Sequence, residues 1–229
     1  MTDVASLSAF RLADSFLPIG TDSVSYALEQ FVAEDRVTDA ADLEALLATY
    51  LRRLLGPCEL VALRAAHAAT LAADIEDVYE ADRRLTATTL PAEFRESAER
   101  AGDRLLTVQR DLRDDPRLDR YGRVVDRDDS PGNFPVVLGV VTAVDGIDER
   151  TACALCCHGF LTGQVGAAQR LMSLGHSDAQ RVLDALQPVV VQAIDDSEDR
   201  SLDEMTPFAP LVDVLSATHE RADRRLFLS

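Results

Sequence analysis

An all-α fold is what these 229 residues predict, and three observations carry the prediction. Apolar residues recur at intervals of three and four almost everywhere, and no run alternates with the two-residue period of a strand bounded by turns. Hydrophobic residues make up 47% of the chain but aromatic ones only 5%, with no Trp, so the core has to be built from Ala, Leu and Val, which suit closely packed helices. At 25.0 kDa the chain is long enough for one sizeable core and divides nowhere. The expectation is a single-domain bundle of about ten helices spanning 1–229.

Taken in order, the first helix is amphipathic and stopped by Leu17-Pro18-Ile19-Gly20, because Pro18 biases its predecessor away from helical angles and Gly20 tolerates a turn. A second helix restarts in the Thr21-Asp22-Ser23 cap region. From Thr38 the residues Leu43, Leu46, Leu47, Tyr50, Leu51 and Leu54 mark one face of a long helix that Gly56-Pro57 should stop, with Pro57 opening the next as far as Asp74. Further helices are expected over Asp77 to Leu85 and from Pro91 through Leu112. Arg113 to Asn133 crowds charges and breakers together and reads as a long mobile acidic loop over 113–133.

Phe134 to Val144 is apolar all round, the pattern of a helix at the centre of a core, and Asp145-Gly146 ends it. The next helix runs from about Asp148 to Leu174, and its Gly159, Gly163 and Gly166 are expected to let a neighbour approach. Gly175 ends it, Ser177 caps a helix through Val190, Asp195 to Asp199 connects, and a final helix starts at Ala209 or Pro210.

The formal charge is -17, and all 23 basic residues are Arg. A chain without Lys has no P-loop and no Schiff-base amine, since Arg stays protonated at any working pH. With no basic stripe, nucleic acid is not an expected partner. The opening residues lack a basic and apolar leader, and the most apolar run is far short of the roughly 20 residues a bilayer requires. The protein is expected to be soluble and cytoplasmic.

The cluster Cys153-Ala154-Leu155-Cys156-Cys157-His158 places three thiols on one helical face. Core packing ranks ahead of a metal or redox role for it, because Cys behaves as a small hydrophobe. His219-Glu220 begins an HExxH pattern, but Asp223 stands where the second His belongs. His67, His158 and His176 lie on separate predicted elements, and no nucleophile elbow is present. The tail Arg221, Arg224, Arg225, Leu226, Phe227, Leu228 reads either as a helix end with cations at its negative pole or as a segment that anchors in a partner's groove.

The stretch RLADSFLPIGTDSVSYALEQF from Arg11 to Phe31 resembles the opening of the urease accessory protein UreF family, and HERADRRLFLS from His219 to Ser229 is similar to that family's tail. Gly132-Asn133-Phe134-Pro135-Val136-Val137-Leu138-Gly139, the segment Leu171 to Leu186, and Met205-Thr206-Pro207-Phe208-Ala209-Pro210 are similar to it in the same order, with departures at Thr21, Asp22, Val24, Ala222 and Asp223. The resemblance implies a non-catalytic, dimeric helical scaffold that joins UreD (also called UreH) and the GTPase UreG to deliver nickel to apo-urease. It implies that Pro18, Ile19, Gly20, Ser25 and Glu29 face the GTPase, and that Arg225, Leu226 and Phe227 in a docking tail over 219–229 meet UreD. No cofactor is then bound by this chain: the complex handles nickel and the partner holds GTP. The alternatives are a helical metal- or thiol-using protein built on Cys153, Cys156, Cys157 and His158, and a generic helical adaptor.

A surface this acidic repels itself until salt screens it, with a screening length of about 3 Å at 1 M. The expected outcome is a thermal midpoint that rises from dilute buffer to molar KCl; equal midpoints in the two, followed by circular dichroism, would show that the charge has no such role.

Overall fold

The computed structural model describes residues 2–14, 16–19 and 25–219. Among them there is no strand, and the all-α expectation holds. The helices are α1 (Asp3–Leu12), α2 (Leu28–Ala33), α3 (Ala40–Tyr50), α4 (Leu60–Leu71), α5 (Ile75–Thr88) and α6 (Ala92–Leu112). They continue with α7 (Pro116–Val125), α8 (Phe134–Val144), α9 (Glu149–Leu171), α10 (His176–Ala185), α11 (Gln187–Asp196) and α12 (Pro210–His219). Asp is plentiful, and the chain uses it to start helices: Asp39, Asp74, Asp115 and Asp148 each accept hydrogen bonds from first-turn amides.

The apolar helix α8 lies at the centre and packs on α4, α6 and α9. It can do so because Gly139 has no side chain: a Cβ there would stand 2.5 Å from the Leu63 carbonyl oxygen and 3.2 Å from the Ala66 Cβ. The expected close approach at Gly159 and Gly166 is not found among the described residues, since a Cβ at either meets none of their atoms within 4 Å. Small residues set the spacing on α8, and on α9 two of the glycines face open space.

Gly56-Pro57 does not stop the helix. A π-helical segment, Leu51–Glu59, carries α3 through into α4. Pro57 has no N–H to donate within this segment, and the amide of Phe208 donates to the Arg53 carbonyl at 3.0 Å. The extended residues before α12 therefore hydrogen-bond to the backbone on either side of the proline turn, Thr206 to the Pro57 carbonyl and Phe208 to that of Arg53. Leu186 likewise divides the helix expected from Ser177 to Val190 into α10 and α11.

The loop expected over 113–133 contains α7. Asp115 caps it and Pro116 occupies its first turn, so the apparent breakers are a helix start, and Leu118 and Tyr121 are buried. The rest of that stretch is held by Asp82 of α5, which is fully buried. Its carboxylate accepts hydrogen bonds from the Tyr121 hydroxyl at 2.8 Å, the Ser130 hydroxyl at 2.6 Å and the amides of Gly132 and Asn133 at 2.7 and 2.9 Å. The Asn133 side-chain amide adds another at 2.7 Å.

Two further buried links close the fold. Arg64 of α4 donates to the Ser197 hydroxyl and the Ile194 carbonyl at the end of α11, each at 3.0 Å, and pairs with Glu149 at the start of α9. Arg113 at the end of α6 makes a two-pronged pair with Asp145 at the end of α8, and Arg11 of α1 lies 3.6 Å from the same carboxylate. His67 is a satisfied core histidine, donating from Nε2 to the Ile147 carbonyl at 2.9 Å.

Removing the Asp82 carboxylate leaves several buried donors without an acceptor. Asp82→Ala is expected to lower the unfolding free energy by about 3–5 kcal/mol, against about 0.5 kcal/mol or less for the exposed control Asp111→Ala, both measured by urea denaturation.

Candidate functional site

Between α1 and α2 the chain turns twice. Pro18 is exposed at the centre of a tight turn in which the Ile19 amide donates to the Leu17 carbonyl at 2.8 Å, while Ile19 itself is buried. Tyr26 and Ala27 then adopt left-handed φ values of 48° and 63°, costly for residues with a Cβ. The Tyr50 hydroxyl donates to the Tyr26 carbonyl. The Tyr26 ring packs on Phe94 and Phe160, with centroids 4.6 and 5.1 Å away. Helices α3, α6 and α9 thus hold the strained turn that launches α2.

Ser25 is fully buried, and its hydroxyl has no hydrogen-bond partner among the described residues. Glu29, on the first turn of α2, lies 3.2 Å from Nε2 of His219, the last residue of α12. Nδ1 of the same ring lies 3.1 Å from Glu93 of α6. A buried imidazole between two carboxylates joins α2, α6 and α12, with an ion pair on each side when the ring is protonated. Glu29 and the start of the tail are therefore neighbours. Gly20, Arg225, Leu226 and Phe227 lie outside the described residues.

The Cys153, Cys156 and Cys157 thiols are buried and unoxidised. Burial pushes all three pKa values up, that of Cys153 to about 12, so at neutral pH they are protonated rather than the thiolate form that ligates metals or attacks. His158 next to them is exposed. Among the described residues no three His, Cys, Asp or Glu side chains converge as a metal site.

Two adjoining cavities, of about 370 and 70 Å³, share Tyr26, Glu59, Ala98 and Phe134 in their walls. Glu59 was not foreseen as a site residue. Burial alone pushes its carboxyl pKa up to about 7. Its signal in the sequence is a carboxylate one position after Cys58 in an apolar stripe that includes Leu55, Ala62 and Leu63.

The outer surface has exposed apolar side chains in two rows. Val4, Leu7 and Phe10 stand three residues apart on α1, with Phe16 beyond, and Phe208, Leu211 and Val214 stand three apart at α12. No helix among the described residues is long and apolar enough to cross a membrane.

Comparison with known proteins bears on this geometry. The UreF family model matches residues 37–187. A urease accessory protein UreF of Trichodesmium erythraeum (strain IMS101) is 33% identical over 225 residues, covering 96% of this chain and 95% of that protein. One of Yersinia enterocolitica serotype O:8 / biotype 1B is 30% identical over 217 residues, covering 95% of each.

The raised Glu59 pKa has a definite sign. Below about pH 4.5 the group is protonated in both folded and unfolded chains. As pH rises from there to about 7 the unfolded chain ionises first, so stability is lost across that window. Glu59→Gln removes the loss, and it is expected to stabilise the protein by roughly 2 kcal/mol more at pH 8 than at pH 5 in urea titrations. An identical gain at both pH values would mean that Glu59 does not titrate in this range.

Proposed function

The chain belongs to the UreF family of urease accessory proteins, and from that premise we propose that it is a non-catalytic docking platform for nickel insertion into urease. In this reading it joins UreD and UreG in one complex, regulates the UreG GTPase and presents that complex to apo-urease. It acts in the cytoplasm as a homodimer. The nucleotide is held by UreG, in keeping with a chain that has no Lys for a phosphate loop. Binding energy, rather than a reactive side chain, does the work.

The observation that carries the reading is the His219 link. The residues assigned to the GTPase side include Glu29, and those assigned to UreD lie in the tail that leaves His219. The two are tied through one imidazole, at 3.2 Å from Glu29. A partner that takes hold of the tail pulls on the helix that carries Glu29, which is a physical route from one partner to the other. The exposed rows on α1 and α12 supply apolar area for docking. The rival reading, a metal- or thiol-using protein, is disfavoured by the buried, protonated thiols.

The test is co-purification with UreD and UreG from the same source. Retention of both by the full chain is expected, and a well-folded sample that holds neither refutes the proposal. Deleting Arg225 to Ser229 is expected to abolish UreD retention. Glu29→Ala is expected to weaken UreG retention by about tenfold or more, the scale of one lost charged hydrogen bond.

A further inference from the structure

Glu59 is a half-buried carboxylate on a cavity wall, and it lacks the usual solution. Asp82 and Asp145 are each surrounded by donors, but burial is the sole influence on Glu59, with no hydrogen bond or ion pair from any described residue. In a chain with 23 Arg, none is among the described residues that line either of the cavities Glu59 borders. The larger cavity, about 370 Å³, falls in the size range of small-molecule sites. Its walls are mainly apolar, with Leu17, Ile19, Leu138, Leu155 and Phe160 among them. A half-buried carboxylate without a partner among the described residues carries a desolvation cost, one that a ligand bringing a positive charge would offset.

We propose that this cavity binds a small organic cation, a primary ammonium on a short alkyl chain, with its head against Glu59 and its chain along Leu17, Leu155 and Phe160. The apolar walls favour an alkyl body over a bare ion. A divalent metal needs several oxygen or nitrogen ligands, and no three such groups converge among the described residues. The same chemistry could come from a free alkylamine or from a lysine side chain of another polypeptide. This inference is independent of the scaffold reading and survives if that reading fails.

The experiment is calorimetric titration of the full chain at about pH 8, where the Glu59 carboxyl is ionised, with hexylammonium, with 1-hexanol and with a short Lys-containing peptide. Hexylammonium is expected to bind about ten- to a hundredfold more tightly than hexanol, the gain of one charge-assisted hydrogen bond. Glu59→Gln, which is expected to fold at least as well as the parent, should erase that difference. Gly159 also lines the cavity, and a Cβ there meets nothing within 4 Å, so Gly159→Leu should fold and weaken both small ligands. If the peptide outcompetes hexylammonium the ammonium is a partner's side chain, and the reverse assigns it to a free amine. Equal affinity for amine and alcohol, an unchanged preference in Glu59→Gln, or undiminished amine binding in Gly159→Leu overturns the proposal.

Discussion

The central helix α8 can begin where it does because a buried carboxylate holds the chain that leads into it. Asp82 would be a severe liability if it were merely enclosed, since an unpaired buried charge costs several kcal/mol. Hydroxyls of Tyr121 and Ser130, amides of Gly132 and Asn133, and the Asn133 side chain all donate to it, and hydrogen bonds to a charged acceptor are the stronger kind. The result binds α5, α7 and the first turn of α8 into one unit. Gly132 takes a φ of 74°, and a Cβ on Gly102 of α6 would fall 1.9 Å from the Gly132 carbonyl oxygen, so α6 is pressed against the same turn. The Gly132-Asn133 turn thus anchors the start of α8.

The other organising constraint is the passage through Pro57. A proline inside a helix disturbs its hydrogen-bond ladder, and here Pro57 sits in a π-helical turn to whose carbonyls the Thr206 and Phe208 amides donate. A residue near the end of the chain thereby secures a helix near its beginning. The same passage brings Glu59 to the boundary between the two cavities, whose walls it shares with Tyr26. Two sites of local cost, a pair of left-handed residues and a carboxylate without a partner among the described residues, lie beside each other, and such concentrations of strain belong to functional regions more often than to scaffolding.

For a member of the UreF family the arrangement has a plain consequence. Glu29 and the start of the tail are far apart in sequence but joined through His219, which also meets Glu93. Whatever engages one end acts on a packed junction of α2, α6 and α12, and packed junctions shift between discrete arrangements rather than deforming gradually.

The sequence by itself determined the all-helical class, the central place of Phe134–Val144 and most helix boundaries, because helical periodicity and capping are local properties. Proline and glycine misled wherever their meaning depended on a distant partner. Gly56-Pro57 lies inside a π-helical turn braced by residues before α12, Pro116 opens a helix rather than a loop, and Gly159 and Gly166 have no neighbour to admit among the described residues. The decisive polar groups were visible only as anomalies: Asp82 shares a stripe with Val78, Ala81 and Leu85, and His219 follows Val212, Leu215 and Ser216 on theirs. A polar residue at an inward position announces burial, but local spacing cannot say what it meets. Only the tertiary structure decided that Asp82 is surrounded by donors, that His219 bridges two carboxylates and that Glu59 has no partner among the described residues, because those outcomes depend on groups brought together from tens of residues away.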